Sequence, residues 1–208
     1  MQIENEIILD FGSGNTCKND KDIVREMIAQ LKAIDSGKYK IIIKWQLFEK
    51  AGENIPLNQN VFVFAMRYAE TKGYKTTASV FDEDSLNFLL GFKADLPFVK
   101  IANNKKYYPL IDLIPRGITV YASYTTGLHY YYDTKLFCCI SKYPAKLGDY
   151  EKNFNKNQLR YISDHTSNFD LYRKYKPEKI EWHYKLENST GLDSGNFART
   201  PAQLKEIL

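Results

Sequence analysis

The chain has 208 residues, 44% of them apolar, with 29 Lys+Arg against 25 Asp+Glu and a formal net charge of +4. That length is enough for one domain with a real core, and the apolar share excludes intrinsic disorder. The charge is too small and too scattered for a nucleic-acid-binding surface, and no stretch approaches the roughly 20 apolar residues that span a membrane.

Three cysteines, Cys17, Cys138 and Cys139, are an odd number without a Cys-x-x-Cys spacing. Reduced thiols in a cytoplasmic protein are the expectation. The opening "MQIENEIILD" has no cationic segment followed by an apolar one, so no signal peptide is expected. Tyrosine occurs 16 times, with a run at 130–132; such residues pack well at half-buried boundaries.

Taken in chain order, eight short runs are rich in β-branched and aromatic residues: 6–12, 39–46, 74–81, 96–103, 117–124, 134–141, 159–165 and 178–184. Most are nearly continuous in apolar residues rather than alternating, which is the pattern of parallel strands buried on both faces. Amphipathic helices are predicted between several of them. Residues 20–34 place Ile23, Met27, Leu31 and Ile34 on one stripe. The segment 60–73 ends in glycine. Residues 82–92 open with carboxylates, which suit the positive end of a helix dipole. The segment 200–208 opens on Thr200, Pro201 and Gln203, a capping box with proline in the first turn.

Strand–helix alternation predicts an α/β protein, and eight strands predict a single compact (β/α)8 TIM barrel over residues 1–208. Such barrels typically take about 250 residues. The shortage falls on the later half: "TTGLHYYYDT" between strands five and six does not read as a helix, and the connections after strands six and seven are poor in helical pattern. Outer helices there are expected to be shortened or missing. An open doubly wound sheet is the alternative.

A barrel of this type carries its active site at the carboxyl ends of its strands. The polar residues at those places are Asp10; Lys44 and Gln46; Ser79 and Asp82; Lys100 and Asn103; Ser141 and Tyr143; Ser163, Asp164 and His165; Glu181 and His183. Lys44 interrupts "IIIKW" and Lys100 interrupts "FVKI". A buried lysine is costly unless an anion or carboxylate pairs with it. Two lysines with serine hydroxyls around one cavity would cradle a phosphate or carboxylate. In the structural alternative, each lysine pairs with a barrel carboxylate such as Asp10 or Glu181. His165 and His183 end neighbouring strands and could reach one divalent ion together, with water and substrate completing its shell. His129 is given no role.

These fragments together resemble the catalytic barrel of the N-acetylneuraminate (sialic acid) synthase family. "IIIKWQLF" resembles its Lys-Phe-Gln signature, "SVFDEDSLNFL" its Thr-Pro-Phe-Asp segment, and "FVKIAN" its Phe-Lys-Ile-x-Ser. "CCISKYPAKLGD" resembles His-Cys-Thr-x-x-Tyr-Pro-Ala, and "YISDHT" resembles Tyr-Ser-Asp-His-Thr. "KIEWHYKLE" resembles Ile-Glu-Lys-His-Phe-Thr-Leu, and "GLDSGNFARTPAQLKEI" the Pro-Gly-Pro-Asp-His stretch and final helix. The seven fragments occur in the family's order across residues 6–208.

The resemblance implies condensation of phosphoenolpyruvate with an open-chain amino-sugar aldehyde, with release of phosphate and with Mn2+ or Mg2+ polarising the aldehyde. It implies that Lys44, Ser79, Lys100, Asn103, Ser141 and Ser163 hold phosphoenolpyruvate. His165 and His183 bind the metal, and Gln46, Tyr143 and Asp193 face the sugar. Asp10 stands in place of a glutamate that positions the reacting groups, and Glu181 matches another acid near the site. The partners implied are phosphoenolpyruvate and a sugar aldehyde, with neither nucleic acid nor membrane, and a homodimer as an option.

The chain departs from the family at several places. "GSGNTCKN" lacks the Asn-His after the first strand. Asn103 stands where serine is usual and Ser79 where threonine is usual. "YASYTT" replaces Ser-Thr-Gly, and "GLDSG" replaces Pro-Gly-Pro-Asp-His. The antifreeze-like C-terminal domain is not expected, the sequence ending at Leu208. Two further readings follow: a catalytically inactive or accessory barrel that binds phosphoenolpyruvate or another small anion, and a metal-dependent lyase or isomerase on the same scaffold.

Overall fold

The structure is a computed structural model that describes residues 5–48, 52–126 and 134–208. The tyrosine run at 130–132 and His129 lie outside the described residues.

The chain alternates strand and helix: β1 (Glu6–Asp10), α1 (Gly14–Cys17), α2 (Lys21–Ile34), β2 (Lys40–Leu47), α3 (Gln59–Thr71), β3 (Lys75–Val80), α4 (Glu83–Leu90) and β4 (Val99–Ile101). It continues with β5 (Val120–Tyr124), β6 (Thr134–Cys139), α5 (Leu147–Asn153), β7 (Tyr161–Asp164), α6 (Asp170–Tyr175), β8 (Lys179–His183) and α7 (Pro201–Leu204). All eight strands pair in parallel with their neighbours, and β8 closes on β1. This is a closed (β/α)8 TIM barrel, and the β1–β8 pairing rules out the open sheet.

The economy is in the outer layer. α2, α3 and α4 have 14, 13 and 8 residues, whereas α5, α6 and α7 have 7, 6 and 4. After β4 the connection is a 3-10 helix, Lys105–Leu113, which contains Pro109. Proline removes a backbone donor and crowds the preceding turn, so an α-helix does not propagate there. The expected helix at 200–208 is confined to Pro201–Leu204, although its capping box of Thr200 and Gln203 forms. The connections after β6 and β7, poor in helical pattern, still wind into the short α5 and α6.

Two apolar layers hold the barrel. The larger lies between strands and helices and includes Leu9, Ile43, Trp45, Val80 and Trp182. The smaller fills the interior: Ile8, Ile42, Phe98, Tyr121 and Phe137, with Tyr161 against it. Successive strand residues point to opposite faces, so the residues two positions on (Asp10, Lys44, Lys100, Cys139, Ser163) also face inward, one layer nearer the carboxyl end.

Below the interior plug, Glu6 is buried and held by three partners. Lys40 Nζ lies 3.0 Å from Oε2, Lys179 Nζ lies 3.0 Å from Oε1, and the Tyr121 hydroxyl donates to Oε1 at 3.1 Å. Burial alone would raise the Glu6 carboxyl, but its bonds to Lys40 and Lys179 outweigh that and hold it below the usual carboxylate value. A depressed carboxyl stabilises the fold above its unfolded pKa and loses that contribution as pH falls through the folded value. We therefore expect Glu6→Gln to cost about 1–3 kcal/mol near pH 7. The gap to the parent protein should close as pH falls below about 4, and thermal melts of both proteins across pH 3–7 check it.

Candidate active site

The carboxyl-terminal mouth of the barrel encloses a cavity of about 310 Å³. Twelve of the thirteen residues to which the family resemblance gives a role line it. Strand register explains the convergence. Asp10 is paired with both Lys44 and His183, Ser79 with Gln46 and Lys100, and Ser163 with Glu181 and Cys139.

Buried charges of alternating sign form its floor. Lys44 Nζ lies 2.7 Å from Asp10 Oδ2, donates to Ser79 Oγ at 2.8 Å, and lies 3.7 Å from Glu181 Oε1. Lys100 Nζ lies 2.9 Å from Glu181 Oε2 as an ion pair, and neither atom makes a hydrogen bond of good geometry. Ser163 Oγ donates to Glu181 Oε1 at 3.0 Å, and the Gln46 amide to Asp10 Oδ2 at 2.9 Å. The internal pairing that formed the structural alternative for the lysines is therefore present, and the cavity lies beside it.

Burial would raise the Glu181 carboxyl, but the Lys100 and Lys44 ammonium groups outweigh it and hold Glu181 far below the usual range. Burial opposes ionisation of Asp10 too, and Lys44, with His183, prevails. The lysines diverge. Burial works against the charge on Lys44, but Asp10 and Glu181 together raise its pKa. For Lys100, burial and repulsion from Lys44 outweigh Glu181, and its pKa is lowered.

The two imidazoles stand side by side, ring centroids 5.3 Å apart. His165 Nδ1 lies 2.8 Å from the Ile140 carbonyl oxygen, which can only accept. That bond puts the proton on Nδ1 and leaves the Nε2 lone pair available. Burial and the neighbouring His183 push His165 down to about 3, so the ring is neutral near pH 7. His183 keeps Nδ1 buried without a hydrogen-bond partner, and its Nε2 is 3.8 Å from Asp10 Oδ2. Among the described residues, no group of three or more His, Cys, Asp or Glu side chains is arranged to hold a metal ion. The donors fit a site of two imidazoles, with further ligands coming from outside the protein.

The rim is amide, hydroxyl and aromatic. The Asn103 amide donates to Thr125 Oγ1 at 2.7 Å and to Ser141 Oγ at 3.0 Å, and its oxygen accepts from Tyr108 at 3.2 Å. Tyr143 is half exposed and packs its ring 4.4 Å from His165 and 4.9 Å from Phe197. Asp193 does not reach this cavity. It lines an adjoining one of about 380 Å³ that shares Gln46, Tyr143 and His183. The Ser13 backbone and hydroxyl both donate to Asp193 Oδ2, at 3.0 and 2.8 Å. Gly12 makes this approach feasible: it has φ +76°, and a Cβ there would sit 2.8 Å from the Asp193 side chain.

Two strand-end acids do not enter the site. Asp82 caps α4 through the Ser85 backbone. Asp164 alternates to the outer face of β7, where it accepts from Trp182 Nε1 at 2.9 Å and from the Thr166 backbone at 2.8 Å. Arg199, also fully buried, lies 3.7 Å from Asp164 and donates to the carbonyls of Asn168 at 2.6 Å and Phe197 at 3.1 Å. Its backbone N–H donates to the His183 carbonyl at 2.7 Å. The sequence reading missed Arg199, as well as the cavity-lining Cys139 and Ser123. The only sequence signal for Arg199 was a lone cation following the apolar pair Phe197 and Ala198.

The sequence matches no protein-family model, and no curated protein matches it. Solved structures do match. An N-acetylneuraminic acid (sialic acid) synthetase from Leptospira borgpetersenii serovar Hardjo-bovis, in complex with citrate, superposes with TM-score 0.75 at 21% identity, over 96% of this chain and 80% of that one. Spore coat polysaccharide biosynthesis protein E from Chromobacterium violaceum superposes with TM-score 0.75 at 15% identity, over 98% and 72%. A phospho-2-dehydro-3-deoxyheptonate aldolase (DAHP synthase) from Thermotoga maritima reaches TM-score 0.65 at 12% identity, over 99% and 67%. At these identities the likeness shows a shared barrel fold.

Removing one partner of a buried ion pair strands the other. We expect Arg199→Met to cost about 3 kcal/mol or more, because it unfastens the loops after β7 and β8 and strands the Asp164 carboxylate. Urea denaturation against the parent protein checks this.

Proposed function

We propose that the protein condenses phosphoenolpyruvate with an open-chain sugar aldehyde, of the amino-sugar class, to give a sialic-acid-like 2-keto acid and phosphate. The observation that carries this reading is the convergence of two buried lysines and two adjacent imidazoles on one cavity at the carboxyl end of the barrel. The fold likeness to an N-acetylneuraminic acid synthetase supports it.

In this reading Lys44 and Lys100, with Ser79, Asn103, Ser141 and Ser163, bind the phosphate and carboxylate of phosphoenolpyruvate as charge-assisted acceptors. Glu181, placed between the two ammonium groups, keeps both oriented toward the cavity. Asp10 orients Lys44 and Gln46, and Gln46, Tyr143 and Asp193 face the sugar. His165 and His183 would hold the divalent metal, Mn2+ or Mg2+, which when bound supplies Lewis-acid polarisation of the aldehyde oxygen. A C–C bond forms between the enol methylene carbon and the aldehyde carbon. Water adds at the enol carbon, and its bond to the phosphate oxygen breaks, so phosphate leaves with that oxygen. The three buried free cysteines agree with a cytoplasmic setting.

One observation favours a second reading. Asp10 and Glu181 already neutralise Lys44 and Lys100, as in a barrel that binds a small anion without turning it over.

Incubation with phosphoenolpyruvate, Mn2+ and a panel of aldoses should release phosphate well above a His165→Ala control. No release with any aldose, but binding of phosphoenolpyruvate by calorimetry, selects the second reading. Lys100→Met should weaken phosphoenolpyruvate binding about 10- to 100-fold, in line with the loss of a hydrogen bond to a charged group, while lowering the thermal midpoint less than Arg199→Met does, because Glu181 keeps Lys44 and Ser163 as partners. Comparable losses of both would make Lys100 a structural residue.

A further inference from the structure

Lys100 stands apart from the other buried cations. Arg199 and Lys44 donate hydrogen bonds to protein oxygens, whereas Lys100 Nζ donates none, although it is almost wholly buried. One oxygen of Glu181 lies against it at 2.9 Å. What lies beneath it is a ring: Nζ sits 3.9 Å from the centroid of Phe137. An aromatic face attracts a cation through its quadrupole, most strongly where water is excluded. A ring supplies that attraction without using an N–H, since it has no lone pair to fix one in direction.

The ring itself is well fixed. Phe137 is fully buried in the interior plug, with its centroid 5.0 Å from Tyr121 and 5.7 Å from Tyr161. Tyr121 stacks on Phe98 at 4.1 Å and is tied to Glu6 through its hydroxyl. The plug below the cavity is therefore a braced platform, and Lys100 stands on its upper face.

We propose that Phe137 is a positioning residue for the anion site: its ring face holds the buried Lys100 ammonium in place while leaving the N–H groups for an incoming anion. Resting on the reading of Lys100 as an anion ligand, this makes the anion affinity depend on the electron density of a ring that never touches the anion. Packing alone would make the affinity depend on ring shape and not on the quadrupole.

The test separates the two. Phe137 is replaced, by site-specific incorporation, with mono-, di- and trifluorophenylalanine, which keep the shape of the ring and progressively weaken its negative face. The dissociation constant for phosphoenolpyruvate, read by calorimetry on the full chain, should rise in graded steps, with Phe137→Leu about 3- to 30-fold weaker than the parent, at near-constant melting temperature in the fluorinated series. A flat series overturns the proposal. A second measurement needs no ligand. The Lys100 ε-methylene proton resonance, assigned by comparison with Lys100→Met, should lie upfield from the ring current and return toward its ordinary position in Phe137→Leu. An unshifted resonance in the parent overturns the seat. Failure of the parent to bind phosphoenolpyruvate, with the upfield shift intact, counts against the anion reading and leaves Phe137 supported as the seat of Lys100.

Discussion

Four buried charges of alternating sign, Asp10, Lys44, Glu181 and Lys100, share the mouth of the barrel, and the arrangement of the site follows from them. None could be buried alone, since an isolated ion out of water costs several kcal/mol. Each is tolerated because an opposite charge lies alongside: register sets Asp10 beside Lys44, and barrel closure brings Glu181 to Lys100 across the interior. Lys44 stands between two carboxylates and Glu181 between two ammonium groups. The set carries no net charge, yet its cations face a cavity. In the proposed function, an entering anion would meet oriented donors rather than a bare positive field.

That cluster needs a rigid floor and fixed walls. The floor is the aromatic and aliphatic plug of Ile8, Ile42, Phe98, Tyr121 and Phe137, itself tied to Glu6 at the far end. The walls depend on strand ends. Asp164, which faces away from the cavity, joins Arg199 behind His165 and His183. Polar networks on both faces of β7 thus do different work: the inner face presents Ser163 and His165, and the outer face fastens the loops that keep them in place. The thin outer layer is compatible with this, because the helices that remain longest, α2 and α3, lie beside β1, β2 and β3, where Asp10, Lys44 and Ser79 originate.

Much of this was legible in the chain. Eight apolar runs rich in β-branched residues read as strands because residues buried on both faces leave no alternation to hide them. Lys44, Lys100, His165 and His183 stood out because they interrupt or end such runs, and a parallel barrel gathers all strand ends at one mouth. The short outer helices followed from chain length together with the poor helical pattern of the later connections. Less legible were the connections. The 3-10 segment around Pro109 and the short α5 and α6 carry little periodicity, and their conformation answers to the strands they join.

By itself the sequence determined where the strands lie, which ends carry ionisable groups, and that strand and helix alternate in an α/β chain, because these depend on local pattern; closure of the barrel came from the β1–β8 pairing. The tertiary structure alone decided who faces whom. That Lys44 meets Asp10, that Lys100 rests on Phe137 without a hydrogen bond, and that Asp193 looks into an adjoining cavity all depend on register between strands and loops far apart in the chain. Side-chain direction within a strand alternates with every residue, so a pairing shifted by one position would exchange the cavity for the core. Only the closed sheet fixes that choice.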